Sequence, residues 1–224
     1  MPVSQMTQAA NLIENQSLAP SLKVLLLLTL LGLLPALILT ATSFLRTVVV
    51  LSFLRIGLGT AQTPPNQVMI GIALFLTLFT MSPVINQIKE VAYEPYQRGE
   101  LTEVQAIERG ILPVKRFMLR QTREEDLRMF HAATNTPIPQ TPDEVSIMMA
   151  LPAFAISELT TGFQMGVVIL LPFLVVDLAV ASLLMSMGMI MVPPATLSLP
   201  IKLLLFVLVD GWNLVTGSIL RSFL

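Results

Sequence analysis

The sequence predicts an all-α, membrane-associated protein of broken helical hairpins carrying a small, polar helical insert. Three observations lead there. Hydrophobic residues make up 54% of the chain and charged residues 12%, at a mean hydropathy of +0.78, against about 25% charged residues in ordinary soluble domains. Eight of the 13 basic residues (Lys89, Arg98, Arg109, Lys115, Arg116, Arg120, Arg123, Arg128) and ten of the 14 acidic ones fall between Lys89 and Glu144. On either side run apolar stretches broken only by single charges, to be compared with the roughly 20 residues that cross a bilayer core. Four segments follow: a polar leader (1–21), an N-terminal apolar hairpin (22–88), a charged helical insert (89–146) and a C-terminal apolar hairpin with a Met-rich loop (147–224).

The leader has no cationic start running into a short apolar core and cleavage site, so no signal peptide is expected from it. The first candidate span, Val24 to Leu45, is uncharged, holds Pro35 and ends at Arg46. TVVVLSFL, between Arg46 and Arg55, is too short to cross alone and extends this helix or re-enters. GLGTAQTPPNQ (57–67) is a turn, because Pro64 and Pro65 lack amide donors. Val68 to Ile85 returns as a second apolar helix. The third span, Val145 to Val176, is interrupted by Glu158 and followed by Asp177; the fourth, about Leu197 to Leu220, contains Lys202 and Asp210. The charges around the turns do not set an orientation by the positive-inside rule.

Helix punctuation marks the insert. Thr102 with Gln105 fits a capping box, Gly110 a stop, Pro113 the first turn of a second helix, and Thr122 with Glu125 the cap of a third. Phe117 and Met118, then Leu127 and Phe130, form apolar faces opposite charged ones. Such faces pack within the insert or dock on other helices and subunits, since about 55 residues make little core of their own. The proline-containing stretch 133–146 is the loop back.

No catalytic residue and no cofactor is expected. With no cysteine and one histidine, His131, the chain has no thiolate metal site and no histidine cluster. His131 is read as a surface residue. No serine or threonine sits in a nucleophile motif. Asp177 and Asp210 invite comparison with an intramembrane aspartyl pair, but VVDLAV and LVDGWN lack such a pattern. A net charge of −1 gives no reason for a nucleic-acid partner. Ions in apolar segments are costly in lipid, so Arg46, Arg55, Glu158, Asp177, Lys202 and Asp210 should face protein interfaces or water and pair with one another. Glu158, alone between two apolar runs, is expected to anchor a contact between subunits.

LLMSMGMIMVPP (183–194) places Met185, Met187, Met189 and Met191 at every second position. On a helix, where each residue turns the chain by about 100°, this spacing splits them between two opposite faces, Met185 with Met189 and Met187 with Met191. In an extended segment all four project to one side. Pro193 and Pro194 exclude a continuing helix, so the row is expected to be extended or bent and to line something; ordinary core filling is the alternative.

TSFLRTVVVLSFLR with TAQTPPNQV, YEPY (93–96), FAISELTTGFQMG, PFLVVDLAVASLLMSMGMIMVPP and LPIKLLLFVLVDGW resemble the FliP/SctR family of type III secretion export-gate subunits. The resemblance covers most of residues 42–212. It implies a subunit of the bacterial flagellar export gate in the inner membrane at the basal body, or its counterpart in a virulence injectisome. It also implies five copies assembling with FliQ-like and FliR-like subunits into a ring or cone that conducts unfolded proteins, with the apparent spans largely lifted out of the membrane plane. Within that assembly the four methionines would form the narrowest constriction. Phe117, Phe130, Arg46, Arg55, Glu158, Asp177, Lys202 and Asp210 would lie at contacts between subunits. An ion-coupled membrane transporter is the remaining alternative; it predicts inverted repeats, and the two halves show no convincing similarity.

Overall fold

The computed structural model of the chain describes residues 20–60, 62–134, 141 and 144–223. Most of the polar leader, and most of the loop returning from the insert, lie outside them. The chain divides into two units, Met1–Ile38 and Leu39–Leu224. The first holds nearly all of helix α1 (Pro20–Thr40), which contains Pro35. Val24, Leu25, Leu28, Leu31, Leu33, Leu34, Leu37 and Ile38 are all exposed. At about 100° per residue these positions cover the whole circumference, the pattern of a helix meant for lipid or other apolar partners.

The regular elements described in the second unit are all helices, joined by turns. It contains α2 (Phe44–Leu58), α3 (Asn66–Ile88) continued by a π-helical turn (Lys89–Tyr93) and the short α4 (Glu94–Gln97), then α5 (Glu103–Gln121), α6 (Glu124–Thr134), α7 (Ile147–Ser186), α8 (Pro194–Leu208) and α9 (Gly211–Arg221). The axis is α7. At 40 residues it is about 60 Å long, twice a bilayer's hydrocarbon thickness. Glu158 and Asp177 do not break it, and neither do Pro152 and Pro172, each of which removes only one backbone hydrogen bond.

α2 lies parallel to α7, and small residues set the fit. A Cβ on Gly162 would stand 3.0 Å from the Val49 side chain, and one on Gly166 only 2.4 Å from the Phe53 ring. The relation then reverses: a Cβ on Gly57 would stand 2.6 Å from the Phe173 ring. Each helix supplies glycines where the other supplies bulk, the close approach by which membrane helices gain dispersion contacts. The core grows from this seam, with Val50, Leu51, Leu54, Ala150, Ala153, Phe154, Met118 and Ile219 at most 1% exposed.

Several expected boundaries move. α1 ends at Thr40, and α2 is a separate helix opening after Ser43, so the first span is not continuous to Leu45. The Thr102–Gln105 capping box is present. Gly110 and Pro113 nevertheless lie inside one 19-residue helix rather than dividing two. Gly110 faces Ala92 and Ile88 at ordinary contact distance, so packing against the end of α3 overrides its propensity. Thr122 closes α5, its hydroxyl donating to the Met118 carbonyl at 2.7 Å. The fourth span is broken at Val209–Asp210, where α8 and α9 meet at a 65° bend. Among the described residues, two helical stretches are long and apolar enough to cross a membrane, or four if each of two broken helix pairs counts as one span.

Gly166→Ala is expected to lower stability by about 1–3 kcal/mol through overpacking against Phe53. Adding Phe53→Val should recover part of that loss. Thermal unfolding of the detergent-solubilised chain measures both, and an unchanged midpoint in the single variant would contradict the seam described above.

Candidate functional site

Arg46 makes five side-chain hydrogen bonds to three other parts of the chain. It sits in the first turn of α2, 2% exposed, and uses all five guanidinium donors. Nε donates to Glu158 Oε2 at 3.0 Å and Nη2 to Glu158 Oε1, giving a two-pronged ion pair with α7. Nη2 also donates to Gln121 Oε1 at 3.1 Å, and Nη1 to the carbonyl and hydroxyl of Ser222 at 2.8 and 3.0 Å. The Phe223 ring lies 3.9 Å from the guanidinium carbon, and Gln121 Nε2 returns a hydrogen bond to the Phe223 carbonyl at 3.2 Å. One cation thus ties α2, α5, α7 and the segment after α9. Glu158 is fully buried and paired within its own chain. Nothing in the sequence marked Gln121, Ser222 or Phe223 as its companions.

One residue earlier on α7, Ser157 donates to Asp126 Oδ2 at 2.5 Å and accepts from the Arg123 amide at 3.0 Å. Arg123 Nε also donates to Asp126. This pins the start of α6 on α7. His131 lies one turn beyond Leu127 on the same helix and is 4% exposed, so it is not the surface residue expected of it; docking of α6 on α7 encloses it. Phe117 is likewise core, 7% exposed, with ring centroids 5.9 Å from Phe154 and 6.3 Å from Phe223. Phe130 is half-buried.

A second ion pair joins α7 to α8: Lys202 Nζ donates to Asp177 Oδ2 at 2.5 Å. Lys202 is buried, whereas 41% of the Asp177 side chain is open to a cleft of about 550 Å³ between α2, α7 and α8. Arg55 and Asp210 meet no ionic partner among the described residues. Arg55 Nη1 donates to the Asn66 side-chain carbonyl, beside a polar pocket with Gln62, Pro65 and Gln67. Asp210 is exposed at the bend before α9, in the left-handed region at φ 50°, and its side chain makes no cap hydrogen bond.

The methionines are not an extended row. Met185 is in the last turn of α7. Gly188 at φ 75° then closes that helix: its amide bonds to Met185 O at 3.1 Å and the Met189 amide to Leu184 O at 2.9 Å, a Schellman ending that glycine permits. Pro193 and Pro194 open α8 rather than stop a helix, since a proline in the first turn leaves no donor unsatisfied. Met185, Met187, Met189 and Met191 are 64%, 63%, 40% and 95% exposed, so the chain's own core does not need them. The tight turn, not strand alternation, clusters them on the tip between α7 and α8.

These features define a helical membrane protein in which the ions of the apolar helices are largely folded onto one another and the longest hairpin ends in an exposed thioether tip. A profile of the FliP family matches residues 27–219. Flagellar biosynthetic protein FliP of Pectobacterium carotovorum subsp. carotovorum is 54% identical over 209 residues, covering 93% of this chain and 81% of that relative. The protein of the same name in Bacillus subtilis (strain 168) is 45% identical over 210 residues, covering 94% and 95% of the two chains. That of Caulobacter vibrioides is 44% identical over 227 residues, covering 100% and 85%. The chain belongs to the FliP family.

Removing one partner of the buried pair should destabilise the chain itself. Arg46→Ala and Glu158→Ala are each expected to cost about 3–5 kcal/mol, and the double change to Met at both positions less than either. Unfolding of the solubilised single chain is the measurement, and a double variant as unstable as the sum of the two would refute the pairing.

Proposed function

We propose that this chain is a subunit of the export gate of the bacterial flagellar type III secretion system, located in the inner membrane at the basal body. Copies of it, five in the reading favoured by the family resemblance, join FliQ-like and FliR-like subunits around a channel for unfolded proteins. Every relative described above carries a flagellar name, which favours the flagellar role over an injectisome one. The observation that carries the reading is the Met-rich tip. Thioether side chains are unbranched and polarizable, so several copies converging on one axis can close on themselves and repack around varied polypeptide side chains.

The remaining surface suits the same role. Phe75, Phe79, Leu78, Val168, Val175 and Leu178 are each at least 60% exposed, an apolar exterior that calls for lipid or further subunits. Phe130, Arg55, Asp177 and Asp210 present side-chain surface for contacts between subunits. Arg46, Glu158, Phe117 and Lys202 contribute by holding the helices that form those faces.

Replacing Met187, Met189 and Met191 together by alanine is expected to leave the chain folded and assembled, because none belongs to its core. It should make the idle complex leak ions or small solutes. Membrane potential, or uptake of a small solute in cells without export substrate, is the readout; an assembled triple variant as tight as the parent would overturn the sealing role of the Met-rich tip. Mass measurement of the detergent-solubilised particle tests the assembly, which should run far above the 24.5 kDa of one chain.

A further inference from the structure

We propose that the polar pocket at Arg55 binds the phosphate of an anionic phospholipid, whose acyl chain lies along an exposed apolar face of α3. The site lies within one chain, so it goes beyond the gate reading and rests neither on it nor on any arrangement of copies. Charge is the starting point. No Asp or Glu occurs from Asn15 to Lys89, so the N-terminal hairpin brings no carboxylate of its own to its cations. Arg46 is matched by Glu158 from α7. Arg55 is not matched: among the described residues, its side chain meets the neutral Asn66 and no carboxylate. Cations on apolar helices are costly unless an anion or water meets them, and a bilayer surface supplies anions as lipid headgroups.

The pocket has the volume and the donors for such a group. It measures about 330 Å³, lies between the last turn of α2 and the first turn of α3, and is lined by Arg55, Gln62, Pro65, Asn66 and Gln67. A guanidinium and three side-chain amides bring N–H donors to it, and none of the lining residues is an acid. Asn66 gives its carbonyl oxygen to Arg55, so its own N–H donors remain for an acceptor. From Gln67 an apolar track runs along α3. Gly71, Leu74 and Leu78 fall within about 40° of Gln67 around the helix, at about 100° per residue. Both leucines are exposed, and nothing lies within 4 Å of where a Cβ on Gly71 would stand. Gln67 to Leu78 rises about 16 Å at about 1.5 Å per residue, close to the half of a roughly 30 Å hydrocarbon core that one leaflet occupies. By the same rise Asn66 and Lys89, at the two ends of this membrane-length helix, stand about 34 Å apart, which sets the pocket at headgroup level. A free phosphate would leave the track unused, and a lipid without net charge would leave Arg55 unmatched.

Lipid retention tests the site. The full chain, solubilised in a neutral detergent and stripped of native lipid, is incubated with dioleoyl phosphatidylglycerol or dioleoyl phosphatidylcholine, and the lipid kept per chain is read by native mass spectrometry. The parent should keep the anionic lipid about five-fold or more over the zwitterionic one. Arg55→Gln should lower retention of phosphatidylglycerol by roughly ten-fold, the loss of one charge-assisted contact, with the lipid-free unfolding midpoint unchanged. Leu74→Gln, outside the pocket but on the track, should also weaken retention. Arg221→Gln, which removes an arginine from the last turn of α9, should leave it as in the parent. Equal retention of the two lipids by the parent would overturn the site. Displacement of phosphatidylglycerol by millimolar inorganic phosphate, with Leu74→Gln like the parent, would reveal a free-anion pocket and overturn the lipid. An Arg55→Gln chain that assembles poorly yet keeps phosphatidylglycerol as the parent does would assign the arginine to a carboxylate of a neighbouring subunit instead. None of these results touches the gate reading, which particle mass and the methionine variants test separately.

Discussion

One guanidinium holds four separate parts of this chain in place. Arg46 is buried where an unpaired cation would be very costly, and it is satisfied only when α2, α5, α7 and the residues after α9 are all in position. Its partners are separated from it in sequence by 75 to 176 residues, so the contact closes the whole second unit. Apolar burial supplies the attraction between helices, but it is not directional; the Arg46 hub makes one arrangement of those greasy surfaces lower in free energy than the others. The neighbouring Ser157–Asp126 contact extends the same logic to α6.

The α2–α7 seam complements this hub. Beginning at Arg46 and Glu158, it continues through Val49 on Gly162 and Phe53 on Gly166, then inverts at Phe173 on Gly57. Parallel helices packed this way admit little sliding: a shift of one turn toward the α7 C-terminus sets the Phe53 ring against Leu170 instead of Gly166, and a shift the other way sets Val49 on Glu158 and breaks its pair with Arg46. With its lower part so fixed, α7 can run on to Ser186 as a stiff arm. The four methionines at its end are carried by rigid structure, although they make no core of their own.

The inward pairing of ions also shapes the surface. Glu158, Lys202 and Arg46 are withdrawn from it, leaving the apolar helices outside the charged insert with an exterior that is ionic at few points. Surfaces of that kind gain from association in any orientation, so the few exposed ions carry most of the information about which orientation is correct.

Composition was enough to point to the helical class, and local signals to the Thr102 cap and to a turn after α2, because hydropathy and local hydrogen bonding act within a few residues; that turn is shorter than the expected 57–67, since Gly57 and Leu58 still belong to α2 and Asn66 and Gln67 already to α3. The FliP-like strings pointed to the family for a related reason: they gather the very residues that pack and pair. Helix breaks were less legible. Pro113, Pro152 and Pro172 remain inside helices, whereas the chain bends at Val209–Asp210, since tertiary contacts overrule a propensity of a few kcal/mol at most. The period-two methionines suggested an extended row; a Schellman turn at Gly188 and a proline-initiated α8 cluster them instead, by hydrogen bonds that periodicity does not encode. Which acid pairs with which base was decided only in three dimensions. Arg46 meets Glu158 across 112 residues, and no local pattern can specify a contact whose partners become neighbours only when the helices between them have packed.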